Sequence, residues 1–208
     1  IEECGGLYID KNHGDDTNEK VIYLTFDAGY ENGNVAKVLD VLQKHDAKGA
    51  FFILPGIIKN SPHVVTRMAE EGHLVCNHST SHKNKATINS LEEFRKELQG
   101  VEEAYTALTG KTMTKFFRPP EGTFSENTLK FCEELGYTPV FWSYAYADWD
   151  NNKQMSEDAA LKKILDNVHN GEIMLLHPTS KTNAQIMQRL IRELKAQGYS
   201  FATLDKII

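Results

Sequence analysis

Short apolar runs alternate along this chain with longer stretches whose apolar residues recur at helical spacing. The runs predict strands at 20–26, 49–53, 73–76, 115–118, 138–142, 171–176 and 199–202. The amphipathic stretches predict helices at 33–45, 61–71, 90–109, 125–135, 157–169 and 183–197. Strands that alternate regularly with helices are typical of a parallel sheet with helices packed against it.

Residue types at the ends of the predicted helices support these boundaries. Ser90, after Asn89, and Ser125 stand where an N-cap side chain accepts hydrogen bonds from the first helical turn. Helical runs are followed by C′ glycines at Gly72, Gly110, Gly136, Gly171 and Gly198. The helices are therefore expected to end close to these glycines.

The strand pattern also indicates the kind of sheet. No Gly-x-Gly-x-x-Gly segment follows the first strand, which favours a barrel over a dinucleotide-binding sheet. We expect an α/β fold with a single domain over residues 20–208. The polar, irregular segment 1–19 is expected to wrap over the surface.

Composition narrows the classes of function. The chain has 208 residues and a formal net charge of -6, which disfavours a nucleic-acid binder. Its three cysteines, Cys4, Cys76 and Cys132, form no CxxC pair, so a cysteine-ligated zinc site is not expected. No apolar run reaches the ~18 residues that span a membrane. The chain begins at Ile1 rather than Met and shows no signal peptide, so we expect a mature or trimmed product.

Side chains with catalytic potential follow five of the predicted strands. They are Asp27 after the first strand, His78 and His82 after the third, Arg118 after the fourth, Asp148 and Trp149 after the fifth, and His177 after the sixth. Because the carboxyl ends of barrel strands meet at one face, these side chains are expected to converge. Such a convergence indicates an active site.

The histidines suggest two kinds of chemistry. On a helical turn, His78 and His82 would share a face, where neutral imidazoles can bind Zn²⁺; two surface histidines are the alternative. His177 is a candidate general acid because imidazole titrates near neutrality, and Asp148 is its candidate partner. A hydrogen-bonded core histidine is the alternative for His177.

Arg118 lies in a loop that two prolines stiffen. Its guanidinium is a candidate for holding Asp27 and lowering the pKa of that carboxyl, whereas a surface salt bridge is the alternative. Backbone N–H groups beyond the prolines are candidates for an oxyanion site. Trp142 and Trp149 are either core residues or an apolar wall for a sugar or acetyl group.

Five segments in order carry a family resemblance: TFDAG, HSTSH, RPPEG, DW and LLH. They resemble the motifs of polysaccharide deacetylases, the NodB homology group of carbohydrate esterase family 4. The resemblance runs from about Val21 to the C-terminus. It implies a distorted (β/α)7-type barrel that removes N-acetyl groups from amino sugars with a divalent metal, for which zinc is the expected ion.

The resemblance implies a role for each matching residue. Asp27 would be the general base, and Arg118 would orient it. His177 would be the general acid that protonates the leaving amine, paired with Asp148. Hydrolysis of an amide needs both proton transfers and a group that polarises the carbonyl oxygen.

The same resemblance makes His78 and His82 metal ligands, places the backbone N–H near Glu121 at the oxyanion, and puts Trp149 beside the acid. One position departs from the family pattern. The usual motif is TFDDG, whose second Asp is a third metal ligand, and Ala28 stands in its place. A methyl group cannot coordinate an ion, so we expect metal binding to be weak without substrate. The alternative explanation for Ala28 is an engineered replacement of that Asp by Ala.

The longer segments TFDAGYENG, RPPEGTFSE, VFWSYAYADWD and LLHPTSKTNA are similar to one branch of the family. That branch contains the muramic-acid de-N-acetylases of spore-forming bacteria, which act in δ-lactam formation in cortex peptidoglycan. The similarity implies a peptidoglycan strand as partner and an extracytoplasmic location, and we expect a monomer. Lys181 is a candidate contact for the lactyl carboxylate of muramic acid, or else a solvated lysine. A deacetylase of N-acetylglucosamine polymers and a non-catalytic glycan-binding protein are the alternatives.

Overall fold

The computed structural model describes residues 1–13 and 19–208; residues 14–18, which belong to the predicted segment 1–19, lie outside the described residues. All the predicted strands are present, and they pair in parallel in one sheet. They are β1 (Lys20–Ala28), β2 (Ala50–Ile53), β3 (Leu74–Asn77), β4 (Phe116–Phe117), β5 (Thr138–Pro139), β6 (Glu172–Leu176) and β7 (Tyr199–Phe201). The order across the sheet is β5-β4-β3-β2-β1-β6, and β7 pairs with the start of β1.

Helices connect the strands and cover the outer side of the sheet. They are α1 (Asn34–Lys44), α2 (Pro55–Asn60), α3 (Pro62–Glu70), α4 (Leu91–Thr109), α5 (Glu126–Glu134), α6 (Glu157–Asp166) and α7 (Lys181–Ala196). The sequence pattern missed only α2, because six residues are too few to show a helical period. None of the helices in the described ranges has the length and hydropathy needed to cross a bilayer.

Two apolar layers lie on opposite sides of the sheet. Along β1, Ile22 and Leu24 pack with the helices, whereas Val21 and Tyr23 belong to the cluster inside the curl of the sheet. Side chains alternate between the two faces of a strand, so Asp27 falls on the inner face at the carboxyl end of β1. The fold thus directs this carboxylate toward the centre of the curled sheet.

The N-terminal segment takes part in the sheet. Leu7 forms a bridge with Val140, just after β5, and Ile9 forms a bridge with Glu172 at the start of β6. The described residues 1–13 therefore do more than wrap the surface, which corrects the expectation for this segment. The reason is that an open strand edge offers unpaired backbone N–H and C=O groups, with which the backbone at Leu7 and Ile9 pairs.

The strands β4 and β5 are shorter than predicted because the chain changes partner after Pro139. The Phe141 N–H donates to the Leu7 carbonyl oxygen at 2.6 Å instead of extending the pairing with β4. Further on, Tyr144 forms a parallel bridge with Met174 of β6. The segment after β5 thereby joins the two edges of the sheet, and the expected distorted barrel is confirmed.

Most of the predicted helix ends are confirmed. Ser90 and Ser125 cap α4 and α5 through their side chains. Left-handed φ angles occur at Gly72, Gly110, Gly136 and Gly198. Gly171 is not a C′ residue, because α6 ends earlier, at Asp166. A Cβ at Gly171 would lie 2.2 Å from the carbonyl oxygen of Asp10, so this glycine permits the close approach of the N-terminal segment.

Candidate active site

A cavity of ≈ 730 Å³ opens at the carboxyl ends of the strands. Its lining includes Asp27, His78, His82, Glu121, Trp149 and His177. Arg118 and Asp148 are buried behind this wall and contact Asp27 and His177, respectively. The structure thus brings these side chains together, as strand ends in a parallel barrel predict.

Arg118 is fully buried, so it is not the surface salt bridge that the sequence left open. Its Nη1 donates to Asp27 Oδ1 at 2.9 Å, and its Nη2 donates to Thr25 Oγ1 at 2.8 Å. Nε and Nη2 also donate to the backbone carbonyls of Val140 at 3.2 Å and Phe141 at 3.0 Å. Bonds from all three nitrogens hold the guanidinium in place, so it fixes the orientation of Asp27.

The surroundings of Asp27 favour its ionised form. Burial alone would raise the pKa of this carboxyl, but the neighbouring imidazoles and the buried Arg118 guanidinium, which also donates a hydrogen bond to it, outweigh burial and lower the pKa. Asp27 is therefore a carboxylate at neutral pH. A general base must be in that form to accept a proton.

The two histidines of HSTSH approach each other without a helix. Residues 78–82 are not helical, so the expectation of a shared helical face is wrong. His82 instead has a φ of 54°, and its N–H donates to Ser79 Oγ at 3.1 Å. This turn places the two imidazole centroids 4.9 Å apart.

The protonation of His78 follows from its partner. Its Nδ1 lies 2.8 Å from the Arg118 carbonyl oxygen, which can only accept a hydrogen bond. Nδ1 of the neutral ring therefore carries the proton, and Nε2 keeps a lone pair. That Nε2 lies 3.6 Å from Asp27 Oδ2, so two acceptor atoms face each other. Such an arrangement fits a cation.

The donor set for a metal is small. His78 and His82 supply two imidazoles, which suit zinc. Ala28 is fully buried in the core between sheet and helices and supplies no ligand. In the described ranges no group of three or more His, Cys, Asp or Glu side chains is arranged to hold an ion. The residues fit a divalent metal held by two protein ligands, which leaves the remaining positions to other molecules.

A buried lysine that sequence reasoning missed anchors the loop that carries His82. Lys85 Nζ donates to Ser81 Oγ at 2.8 Å and lies 3.1 Å from Glu97 Oε2 on α4. The Ser81 N–H donates to the same Glu97 oxygen at 3.0 Å. No motif marks Lys85, because a lysine in a polar loop is usually solvated.

His177 is held by Asp148 through two hydrogen bonds. The imidazole Nδ1 lies 2.7 Å from Asp148 Oδ1, and the His177 N–H donates to Asp148 Oδ2 at 2.8 Å. Burial alone would lower the pKa of His177, but the bond to Asp148 and the charges of Asp27 and Asp148 raise it above its ordinary value. The core-histidine alternative is wrong, because His177 lines the cavity and keeps Nε2 free of the Asp148 contact.

Aromatic side chains form part of the cavity wall. Trp149 is 61% exposed and its ring centroid lies 6.4 Å from that of His177, so it is not a core residue. Trp142 lies behind the loop of Glu121, where a Cβ on Gly122 would come within 2.6 Å of its ring. Its ring also lies 5.7 Å from the Arg118 guanidinium. Both rings line the cavity; Trp142 also packs against the Glu121 loop, whereas Trp149 is mostly exposed.

Glu121 and Lys181 have different relations to the cavity. Glu121 lies in the Pro120–Gly122 turn with a φ of 58° and lines the cavity, so its backbone is close to the site. Lys181 is exposed at the start of α7 and is not part of the lining, although Thr179, two residues before it, is. The structure therefore brings Glu121, but not Lys181, to the cavity wall.

The family profile described as polysaccharide deacetylase matches residues 14–140. This chain belongs to the polysaccharide deacetylase family. Over its whole length it is 43% identical to the peptidoglycan-N-acetylmuramic acid deacetylase PdaA of Bacillus subtilis, of which it covers 77%. The solved structure of Bacillus subtilis PdaA, a family 4 carbohydrate esterase, matches 100% of this chain and 86% of that chain with a TM-score of 0.92 and 41% identity.

Two further relatives are described as having a different substrate from PdaA or as a pseudoenzyme. A peptidoglycan-N-acetylglucosamine deacetylase of Bacillus cereus is 36% identical over 91% of this chain and 69% of its own length. A carbohydrate esterase family 4 pseudoenzyme from Bacillus anthracis is 27% identical over 91% of this chain and 66% of that chain, with a TM-score of 0.82. These matches confirm the expected family, fold and class of enzyme: this polysaccharide deacetylase is an N-deacetylase, an amide hydrolase.

Proposed function

We propose that this deacetylase hydrolyses the N-acetyl amide of N-acetylmuramic acid in peptidoglycan and releases acetate. The observation that carries the proposal is the presence of two differently paired carboxylates at one cavity, Asp27 with Arg118 and Asp148 with His177. The pKa of Asp27 is lowered and that of His177 is raised, so a base and an acid coexist at the same pH. The free amine of the product can then close a δ-lactam with a free lactyl carboxyl group, with loss of water.

Asp27 is proposed as the general base. It accepts a proton from the water whose oxygen attacks the acetyl carbonyl carbon. Arg118 holds the carboxylate through Oδ1, which leaves Oδ2 for the water. Because every nitrogen of Arg118 is already bonded, the base does not have to reorient as the reaction proceeds.

His177 is proposed as the general acid. Its Nδ1 is engaged by Asp148, so Nε2 is the nitrogen that gives its proton to the amine as the C–N bond breaks. One proton moves from water to Asp27, and one moves from His177 to the leaving nitrogen. The hydroxyl of the water remains on the acyl carbon, so acetic acid is released and loses its proton to become acetate, and the amino sugar leaves with a free amine.

The acetyl oxygen becomes negative during the attack, and two groups are proposed to stabilise it. The backbone near Glu121 would donate to the oxyanion from the cavity wall. A divalent metal on His78 and His82 would supply Lewis acidity toward the same carbonyl. We propose zinc, because His78 presents an imidazole lone pair and imidazole suits that ion.

The substrate has one alternative within the same chemistry. Polymers of N-acetylglucosamine are favoured by the similarity to the Bacillus cereus enzyme. Muramic acid is favoured by the higher identity to PdaA over the full chain. Lys181 remains the candidate contact for the lactyl carboxylate, and this role predicts that Lys181→Ala slows muramic-acid substrates more than glucosamine substrates.

The sequence also left open a non-catalytic glycan-binding role. Ala28 in place of a metal ligand and the likeness to a pseudoenzyme favour it. The complete set of Asp27, Arg118, Asp148 and His177 opposes it, because binding alone needs no acid and base.

An enzyme of peptidoglycan would act outside the cytoplasmic membrane, and we propose an extracytoplasmic monomer.

Release of acetate from defined glycans tests these proposals. With zinc added, we expect a peptidoglycan fragment that contains N-acetylmuramic acid to release acetate faster than a chitin oligomer, and Asp27→Asn to release almost none. Faster release from the chitin oligomer would overturn the choice of muramic acid. Binding of both glycans without any acetate would establish the non-catalytic role.

A further inference from the structure

Hydrogen bonds extend from Asp148 and His177 to two residues that have no role in the proposed reaction, Asn183 and Tyr146. Asn183, in the first turn of α7, is fully buried. Its Nδ2 donates to Asp148 Oδ2 at 2.6 Å and to the His177 carbonyl oxygen at 3.1 Å. The hydroxyl of Tyr146, a residue of the cavity lining, donates to Asn183 Oδ1. A chain of bonds thus runs from the cavity wall back to the acid.

The direction of each bond in this chain follows from its chemistry. A carboxylate oxygen and a carbonyl oxygen can only accept, so the amide nitrogen of Asn183 must face Asp148 and the backbone of His177. The amide oxygen then faces Tyr146, whose hydroxyl must donate. Asp148 accepts from Asn183 and from the His177 N–H on Oδ2, and from the imidazole of His177 on Oδ1, so both of its oxygens are held.

The start of α7 fixes this arrangement from the backbone side. The Asn183 N–H donates to Oγ of Ser180, the N-cap of the helix, at 3.1 Å. Gln154 accepts from the Ser180 hydroxyl at 2.6 Å and donates to the Asp148 carbonyl oxygen at 2.8 Å. Both the side chain and the backbone of Asp148 are therefore tied to the same helical turn.

We propose that Tyr146 and Asn183 are positioning residues that hold the Asp148 carboxylate in line with the imidazole of His177. The proposal rests on the proposed role of His177 as general acid. Asp148 is only 1% exposed, so water cannot freely replace a lost donor. Without Asn183, Oδ2 keeps only the His177 N–H as a donor among these groups, so the carboxylate is held less firmly in line with the imidazole and favours the protonated ring less.

A double-mutant cycle on the rate of acetate release tests the proposal. We expect Asn183→Ala to lower kcat about 10- to 100-fold with KM unchanged, as loss of an outer partner of a functional histidine does. Tyr146→Phe should lower kcat less. The double variant should be no slower than Asn183→Ala, because Tyr146 acts only through the amide. Losses that multiply in the double variant would overturn the proposal, since Tyr146 would then act on the substrate directly.

Tyr144→Phe is the matched control. The Tyr144 hydroxyl is buried in the same segment and has no hydrogen-bond partner in the described structure. Its removal should leave kcat at the wild-type value. Tyr146→Phe removes one oxygen atom and keeps the ring, so it decides the question even if Asn183→Ala does not fold. A Tyr146→Phe enzyme with the kcat of the control would overturn the proposal.

The pH dependence separates positioning from a merely structural role. His177 must be protonated to act, so activity falls as the pH rises above its pKa. In Asn183→Ala, or in Tyr146→Phe, that alkaline limb of kcat/KM should move to lower pH; an unmoved limb would contradict the proposal. Titration of His177 by NMR gives the same answer without a substrate. If the wild-type chain releases no acetate from any glycan, the proposed function fails, and the NMR titration still decides the positioning role.

Discussion

At the scale of single residues, the two carboxylates of the site differ in the partner each one has. Asp27 contacts a guanidinium that never loses its charge, so its pKa is lowered and it stays ionised. Asp148 contacts an imidazole, so its negative charge raises the pKa of His177 and favours the protonated ring. The same type of side chain therefore supports a base in one place and an acid in the other.

Whether a residue of the site could be predicted from the sequence depended on its residue type. Asp27, Arg118 and His177 could be predicted because reactive side chains after apolar strands are informative. Lys85 and Asn183 could not, because lysine and asparagine are ordinary in polar loops and first helical turns. Only the burial of these two side chains distinguishes them from solvated residues.

A buried glutamate outside the site leads to a prediction about stability. Glu172 has no exposed surface, and neither carboxyl oxygen has a hydrogen-bond partner in the described structure. Burial raises the pKa of Glu172 to about 8. Between its unfolded pKa of 4.5 and this value the folded chain binds the extra proton, so the free energy of unfolding falls as the pH rises. We expect Glu172→Gln to raise the free energy of unfolding at pH 8 by about 1–3 kcal/mol.

Urea denaturation at several pH values measures this effect. The gain from Glu172→Gln should be largest at pH 8 and above and should shrink to a minimum below pH 4.5, where both states of the wild-type chain are protonated. His169 Nδ1 lies 3.3 Å from Glu172 Oε1, so His169→Gln tests whether that contact contributes. A wild-type chain more stable than Glu172→Gln at pH 8 would show that the carboxylate is ionised and paired.

At the scale of elements, the loop after β3 shows how an irregular segment can be held as firmly as a helix. Its polar atoms bond to α4: Thr80 Oγ1 donates to the Glu97 carbonyl oxygen at 2.8 Å, and Gly100 leaves room for Thr80 because a Cβ there would lie 2.5 Å from its hydroxyl. Ser81 and Lys85 bond to the Glu97 carboxylate. The position and the φ angle of His82 thus depend on contacts with α4. Local sequence patterns do not reveal such contacts.

Glu97→Gln should therefore weaken metal binding at a distance. The change leaves the buried Lys85 ammonium without its counter-charge and loosens the turn that carries His82. We expect the affinity for Zn²⁺ to fall about tenfold, as measured by isothermal titration calorimetry. Glu93→Gln is the matched control, because it removes the same charge from an exposed position on the same helix. Equal affinities of the two variants would mean that the ion pair does not position His82.

At the scale of the whole molecule, the sheet depends on both ends of the chain. Residues near the N-terminus pair with the segment after β5 and with β6, and β7 near the C-terminus pairs with β1. Buried Asp10 accepts from the Tyr23 hydroxyl at 2.5 Å inside the sheet. The N-terminal segment is therefore part of the folded unit that supports the site.

Gly171→Ala should test this packing of the N-terminal segment. A Cβ there would meet the Asp10 carbonyl oxygen, in addition to the cost of a left-handed φ of 76°. We expect a loss of about 2–4 kcal/mol in the free energy of unfolding by urea denaturation. Gly136→Ala is the control, because Gly136 has a φ of 73° with no atom within 4 Å of the added Cβ, and should lose about 1 kcal/mol. Equal losses of stability in the two variants would show that the N-terminal segment moves away from the added Cβ at no cost in free energy.

The sequence by itself determined the order of strands and helices, the parallel sheet and the residues at the strand ends. These follow from local hydrophobic periodicity and from the geometry of a parallel barrel, and residues close together in the sequence are enough to predict them. The tertiary structure alone decided the turn that brings His82 to His78, the burial of Lys85 and Asn183, and the entry of the N-terminal segment into the sheet. Those features depend on contacts between residues far apart in the chain, and a pattern of adjacent residues carries no information about which distant partner is near.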